Sequence, residues 1–528
     1  MLATTSIARS GLILLGYGGL GLYFLQFNRY GITPDGISYI SIAQKYLDGN
    51  VGDAVNGYWG PLLSWLLVPV LALGVPPVLA PKLVLLVTGM MTIVGARLLS
   101  YRFDMSESVR TILLVSLIPV TCYFALFRMT PDLLIATTLL FYLAFIFDSA
   151  YRTHAGYGWR CGVVGGLSFF AKSFGFPFFL VHFLIFNGLH YVNGRTPLEK
   201  RTVLRNGVSG LVVFCMLSGG WVLLISRKYQ EFTITTTPAV NYAAAEGGGF
   251  LFLQRLLEPP NETAVSYWED PYFALKADRE RQARDGTTSV TAALHSESSI
   301  PPSRSLPARW ANTSSRSYEI LQSFSVFSVV VILASVFASL LSARRHRILF
   351  HSLLTLAVYS GGYILIFVEP RYLWIEAVLL VMMGTHLLAG LLTLKNAVWY
   401  RATVTGLLVV FVGSFSVSPL QYLIRQKWQG RSEAELSEKL KPYNTHGRIA
   451  SDINWGPTMY LAFYNNFKYY GLTGHGEGGR DIRKELRDND IDYYFVWNRD
   501  FKVDSDATEL TEGQKLPLRI YRLKPNAE

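Results

Sequence analysis

The chain has 528 residues, of which 51% are hydrophobic, 14% aromatic and 16% charged. Soluble domains carry about a quarter charged residues, so this balance excludes a cytosolic enzyme, a disordered chain and a fibrous protein. The net charge of +11 sits largely in short loops between apolar runs, as at Arg195, Lys200, Arg201 and Arg205, or Arg344, Arg345 and Arg347. A nucleic-acid binder gathers its basic residues on one accessible face, and no nucleic-acid partner is expected here.

Apolar runs of the roughly 17–25 residues that span a bilayer predict membrane helices near 8–27, 59–76, 79–100, 111–127, 132–148 and 161–175. Six more follow near 176–191, 207–225, 319–342, 348–367, 372–394 and 402–418. The first run is glycine-rich and shows no small-residue cleavage site, so it reads as a retained anchor. Basic loops around 97–110, 150–160, 191–206, 343–347 and 395–401 belong on the cytoplasmic side by the positive-inside rule. Segments near 128–132, 226–318, 368–371 and everything after 419 then face the other way. Twelve crossings from a cytoplasmic N-terminus bring the C-terminus back inside, against those loop charges. Either one candidate, within 59–100, is re-entrant or merged with its neighbour, or a crossing is uncounted.

The expected fold is therefore mainly α, a polytopic transmembrane bundle of about 11–13 spans, with a small extracytoplasmic α/β domain at the C-terminus. The expected domains are a transmembrane module 1–226 with a first external loop 28–58, an external loop 227–318, transmembrane helices 319–418 and the α/β domain 419–528. Within 227–318, the stretch 283–317 is rich in Ser, Thr, Arg and Pro and reads as unstructured; Asn261 and Asn312 are Asn-x-Ser/Thr sites of low specificity. In the last domain, runs 447–452, 491–497 and 517–523 read as strands, and 456–468 and 480–488 as helices. Cys122, Cys161 and Cys215 lie in or beside apolar runs, without the spacing of a disulfide framework or a zinc site.

The chemistry-bearing residues lie at the boundaries of the spans. After the first comes TPDGISYISIAQKYL, in which Ile37, Ile40 and Leu47 recur at helical spacing, predicting an amphipathic interfacial helix with Tyr39 and Tyr46. Asp35 stands just before it, as an N-cap, a general base at the membrane surface, or both. In GYWGPLLSW, Tyr58 and Trp59 suit an aromatic belt, and Gly60-Pro61 breaks the chain before the next helix.

Arg128-Met-Thr-Pro-Asp132 opens another span. There Asp132 either complements the helix N-terminus or acts as a metal ligand or an acceptor-positioning carboxylate. Lys172, in GLSFFAKSFGFP, is a lysine between apolar runs on the face opposite the basic loops, where it either snorkels or meets an anion. In VEPRYLWIE, Glu369 and Arg371 form a local ion pair or leave Arg371 for a phosphate, with Tyr372 and Trp374 entering the next span. Two acids and two bases thus gather at membrane depth on one side. Acids suit deprotonation of a hydroxyl or metal holding, and bases suit a phosphate leaving group.

In the order PDGISYISIAQKYLDG, YWGPLLSWL, TPDLL, GLSFFAKSFGFP and EPRYLWI, the chain resembles the GT-C superfamily of integral membrane glycosyltransferases. The nearest likeness is to the protein O-mannosyltransferase and lipid A aminoarabinose transferase group, over residues of roughly 8 to 418. The resemblance implies transfer of a sugar from a polyprenyl-phosphate-linked donor to an extracytoplasmic hydroxyl of a glycan, lipid or protein, by one inverting displacement. It implies Asp35 as the base, and Asp132 with Glu369 as acceptor-positioning groups, with a divalent cation as an optional ligand of Asp132. Lys172, Arg371 and Arg128 become the lipid-phosphate contacts, and Tyr39, Tyr58, Trp59 and Tyr372 line the donor and acceptor sites. The expected location is a bacterial inner (plasma) membrane.

Two departures stand out. Trp59-Gly60-Pro61 replaces the charged residue or histidine that relatives often carry before that proline, and the first loop holds one acid at the expected place instead of an Asp-Glu pair. The alternative from another class is a transporter or lipid flippase, which calls for matched repeats and broken helices meeting at mid-membrane.

Overall fold

A computed structural model describes residues 2–230, 232–237, 326–342, 344–364, 369–394, 397–443, 447–472, 482, 486–487, 490–498 and 507–523. The disordered stretch expected within 227–318, with Asn261 and Asn312, lies outside the described residues, as does most of the helix expected at 480–488.

The N-terminal part contains α1 (Leu2–Asn28), α2 (Pro34–Leu47), a single turn α3 (Val51–Ala54), α4 (Pro61–Ala72), α5 (Ala80–Ser100) and α6 (Glu107–Phe127). It continues with α7 (Asp132–Ile146), α8 (Tyr157–Ala171), α9 (Gly175–Val192) and α10 (Pro197–Tyr229). Four more helices follow: α11 (Val326–Leu341), α12 (Arg347–Ile364), α13 (Trp374–Leu391) and α14 (Val398–Arg425). Each apolar run found in the sequence holds a helix among its described residues. Among the described residues seven helices are long and apolar enough to cross a membrane, and Pro61–Ala72, Asp132–Ile146 and Phe327–Leu341 are shorter apolar helices. The chain is an integral membrane protein.

α4 is short for a crossing. Its twelve residues rise only about 18 Å, against roughly 30 Å of hydrocarbon. It starts where Gly60 packs on the carbonyl oxygens of Phe170 and Ala171, at the end of α8. α5 starts where Lys82 donates to the carbonyl of Asn28, at the end of α1. Both points lie at the end of the bundle that carries Asp35, so α4 and the turn after it leave that end and return to it.

Three helices of the bundle are joined by a chain of buried hydrogen bonds, of the kind a low-dielectric interior favours. Tyr142 donates its hydroxyl to His182 Nδ1 (2.8 Å), His182 Nε2 donates to Thr355 Oγ1 (2.8 Å), and Thr355 donates to the His351 carbonyl (2.9 Å). This chain ties α7, α9 and α12 together at mid-depth.

After α14, α15 (Arg431–Leu440) leads into a five-stranded sheet of order β2-β1-β3-β5-β4, made of β1 (Arg448–Ser451), β2 (Lys468–Leu472), β3 (Tyr493–Val496), β4 (Thr508–Glu509) and β5 (Arg519–Arg522). β1 lies parallel to β2 and β3, with α16 (Trp455–Asn465) crossing between β1 and β2; β5 runs antiparallel to β3 and β4. The expected helix 456–468 ends early. Asn466 takes a left-handed φ of 58°, which stops it, and Lys468 begins a strand that the reading from sequence did not anticipate. The sheet stands at the Asp35 end of the bundle: Trp428 donates its amide to the Phe27 carbonyl (3.0 Å) and Tyr464 donates to the Tyr30 carbonyl.

Candidate functional site

α2 is the element that carries Asp35. Thr33, and not Asp35, caps it: Thr33 Oγ1 accepts from the Gly36 amide at 3.1 Å. Pro34 occupies the first turn, where its missing N–H costs nothing. The N-cap reading of Asp35 is therefore corrected; with the cap supplied by Thr33, the Asp35 carboxylate is free to face another segment. That segment is Arg371, whose Nη1 donates to Asp35 Oδ2 at 2.6 Å. Gly36 packs so close to Met129 that a Cβ there would lie 2.8 Å from its side chain. This contact presses α2 onto the 128–132 turn and brings Asp35 toward Asp132.

Asp132 is 2% exposed and opens α7 after Pro131. It accepts from Lys172 Nζ on Oδ1 (2.8 Å) and from Thr130 Oγ1 on Oδ2 (2.7 Å), while Arg371 Nε lies 3.7 Å from Oδ2. Arg371 Nε also meets Glu369 Oε2 at 2.6 Å. Lys172 leaves α8 in an extended conformation (φ −152°), and its ammonium lies 3.2 Å from the centre of the Tyr372 ring. Burial pulls that ammonium below the usual lysine range, with Asp132 opposing the shift.

The expected site residues Asp35, Asp132, Lys172, Glu369, Arg371 and Tyr372 therefore form one continuous network of charges. Arg128 stands at its rim, donating to the Tyr123 hydroxyl (2.9 Å) and making no ion pair among the described residues. Beside the network, Tyr39 and Tyr58 both pack edge-on against Trp59, with ring centres 5.0 and 4.8 Å away. Burial raises both phenols well above the usual tyrosine range and nearby Asp35 adds to the effect, so both remain hydroxyl donors. Gly60 is required by the backbone contact with Ala171, because a Cβ would sit 2.5 Å from that carbonyl oxygen. This is what Trp59-Gly60-Pro61 provides here: close docking of the loop one residue before Lys172.

Sequence reasoning missed Tyr363 and Thr130. Tyr363 stacks on Phe174 and Tyr372 and forms an aromatic wall behind Lys172. Thr130 sits between two residues that had been singled out, and its hydroxyl fits the Asp132 carboxylate, a signal legible in the Thr-Pro-Asp order. Tyr363 lies in an apolar run with nothing to mark it.

Pro370, Leu373 and Trp374, next to Arg371, also line an apolar cavity of about 180 Å3 between α6, α13 and α14. Trp374 presents a buried indole N–H with no hydrogen-bond partner among the described residues. A divalent cation fits the charged network poorly. The carboxylates meet Arg371, Lys172 and Thr130, and among the described residues no three His, Cys, Asp or Glu side chains converge to hold a metal.

No family model matches the chain, and no curated protein is significantly similar to it. Among solved structures, it is similar to the apo oligosaccharyltransferase of Archaeoglobus fulgidus, with a TM-score of 0.53 and 13% identity over 92% of this chain and 69% of that chain. It is also similar to the Archaeoglobus fulgidus oligosaccharyltransferase AglB in complex with an inhibitory peptide and a dolichol-phosphate, with a TM-score of 0.50 and 11% identity over the same shares. The chain has the GT-C fold. ArnT from Cupriavidus metallidurans bound to undecaprenyl phosphate aligns with 99% of this chain and 97% of its own, at 14% identity and a TM-score of 0.47. In this chain the charged network lies at the end of the bundle that bears the C-terminal sheet.

Proposed function

We propose that this protein is a glycosyltransferase that moves a sugar from a polyprenyl-phosphate-linked donor to an acceptor hydroxyl, by a single inverting displacement. The observation that carries the reading is the Asp35–Arg371–Asp132–Lys172 network, in which a candidate base and two candidate phosphate-binding cations are held in one cluster. As it stands, Arg371 occupies Asp35. A donor phosphate competes for the same guanidinium, which binds phosphate well. Once Arg371 turns to the phosphate, the Asp35 carboxylate is released from this ion pair and faces the acceptor hydroxyl.

The acceptor hydroxyl then gives its proton to Asp35 while its oxygen attacks the anomeric carbon. The bond from that carbon to the phosphate oxygen breaks, and its electron pair leaves with the polyprenyl phosphate. Lys172, Arg371 and Arg128 balance the charge on the departing phosphate, which is stable enough as an anion to leave without a general acid. Asp132 holds Lys172 in place, Glu369 orients the acceptor, and Tyr39, Tyr58, Trp59 and Tyr372 line the sugar sites. No step in this scheme passes through a metal ion. The first part of the prenyl chain lies in the apolar cavity beside Arg371; that AglB is in complex with a dolichol-phosphate supports a lipid-linked ligand.

The basic loops around Arg195–Arg205 and Arg344–Arg347 gather at the end of the bundle away from Asp35, which supports an extracytoplasmic site in a plasma membrane. The expected divisions at 1–226, 227–318, 319–418 and 419–528 serve this reading, with the C-terminal domain on the acceptor side. The test is transfer by the purified full chain from labelled polyprenyl-phosphate sugars, with the anomeric configuration of the product read by NMR. Retention of configuration overturns the single displacement. Substrate movement in proteoliposomes without any transfer overturns the enzyme reading in favour of a transporter.

A further inference from the structure

At the opposite end of the bundle, a second polar cavity of about 140 Å3 lies between the turn Ser149–Arg152, α9 and α12. It is separated from the catalytic network by the length of α9. From Gly175, beside Lys172, to His190 at the cavity the helix rises about 22 Å. The cavity is lined by Arg102, Ser149, Arg152, His190, Arg347 and His351, together with apolar side chains.

Its charges do not balance. Arg102 is matched by Asp148 at 2.5 Å. Arg152 donates Nη1 to the Asn193 carbonyl (2.6 Å), and Arg347 donates Nε to His351 Nε2 (3.3 Å). Neither arginine meets a carboxylate among the described residues, so two like charges share one pocket without a counter-ion. Arg152 Nε, Arg347 Nη2 and His190 Nδ1 are buried and lack hydrogen-bond partners among the described residues.

His190 is 2% exposed and stacks on Tyr151. Its Nε2 donates to the Ile146 carbonyl (2.7 Å), which leaves Nδ1 to take up a proton and donate once an anion arrives. The loop is held rigidly: Asn206 donates to the carbonyls of Tyr151 (2.8 Å) and His154 (3.0 Å) and accepts from the amides of Gly156 (3.1 Å) and Gly158 (3.2 Å). The pocket therefore cannot relieve its charge by letting Arg152 drift into solvent with its loop. Guanidinium nitrogens shut off from water without a partner are costly in a membrane protein, and basic pockets between membrane helices bind lipid phosphates.

We propose that this cavity is a binding site for a phosphate group, held by the guanidiniums of Arg152 and Arg347 and by His190. Two guanidiniums on different elements and an imidazole approach from separate directions, which suits a tetrahedral group with several acceptor oxygens. The phosphate comes either from the headgroup of an anionic phospholipid or from solution. The site is independent of the glycosyltransfer reading.

The experiment compares the full-length wild type with R152Q/R347Q in detergent. Melting midpoints are read with inorganic phosphate, with short-chain phosphatidylglycerol and with phosphatidylcholine as a control. Wild type gains roughly 3 °C with at least one of the two anions and nothing with phosphatidylcholine. The variant starts at or above the wild-type midpoint, because like-charge repulsion is gone, and does not respond. A response to phosphate alone identifies a soluble ligand, and a response to phosphatidylglycerol alone identifies a headgroup. No response from wild type to either anion overturns the site, as does an equal response from the variant. The single variant R152Q, changed at a half-exposed position, gives the same reading at reduced size if the double variant folds poorly.

Discussion

Arg371 Nη1 donates to Asp35 Oδ2 at 2.6 Å, joining residues 336 positions apart in the chain. The pair links α2 to the turn that opens α13. It makes one cation the shared partner of a candidate base, of Glu369 and of Asp132. Under the proposed reaction, this contact must open before Asp35 meets the acceptor hydroxyl.

Asp35→Asn removes the proton acceptor while releasing Arg371. Sugar transfer is expected to fall by about 10²–10⁴-fold, while donor binding, measured by titration with a labelled polyprenyl-phosphate sugar, holds or tightens. Transfer equal to wild type removes Asp35 from the chemistry.

Lys172→Met leaves the Asp132 carboxylate, 2% exposed, without its 2.8 Å partner. Removing one member of a buried pair costs about 3–5 kcal/mol, so the melting midpoint drops clearly. In the double variant Lys172→Met/Asp132→Asn, stability returns but transfer does not. A double variant that recovers both makes the pair purely structural.

Burial lowers the Lys172 pKa, and the sign of its pH dependence follows. The folded protein releases this proton at a lower pH than the unfolded chain does. Between the two values the unfolded state binds more protons, so this group's contribution to stability rises with pH. Activity moves the other way, since the charge that neutralises phosphate is lost. The alkaline limb of kcat/KM, which reports the free enzyme, is expected below the usual lysine value near 10.4. Lys172→Arg shifts it upward; a limb that stays in place in Lys172→Arg assigns it to another group.

Ala377 lines the apolar cavity next to Arg371. Ala377→Phe fills that space and is expected to raise KM several-fold for a long-chain polyprenyl donor, with kcat little changed. A short-chain analogue keeps its KM. Equal effects on both donors place the prenyl chain elsewhere.

The sides of the bundle are open to a direct check. With Cys215, an exposed thiol, replaced, Pro77→Cys and Asp104→Cys are probed with a membrane-impermeant thiol reagent. The return of α4 puts position 77 on the Asp35 side and position 104 on the other, so only one of the two reacts from a given side. Reaction of both from the same side contradicts the α4 path.

Apolar run length made every helix of the bundle legible in the sequence, because the bilayer imposes one chemical rule on all of them. The charged residues of the site were legible too: Asp35, Asp132, Lys172 and Arg371 stand out because such groups are rare at membrane depth. Their pairing was not. Nothing local tells Asp35 that its partner is Arg371, or Arg371 that it reaches Asp132 as well as Glu369. The cap was misassigned because both Thr33 and Asp35 are good capping residues, and only backbone geometry decides between them. Tyr363 stayed hidden for a different reason, since an aromatic ring in an apolar helix has no pattern until its neighbours are known.

The dip of α4 reaches beyond helix counting. A segment that enters and leaves through the same face adds no passage, and among the described residues the start of α1 and the C-terminal sheet stand at opposite ends of the bundle; under the proposed topology they belong to different compartments. A reporter fused at each end of this chain reads two environments, and a protease confined to one of them removes only one reporter. The same topology means that the sheet, α2 and the charged network meet a common aqueous phase, where an acceptor can reach all three without passing through the lipid.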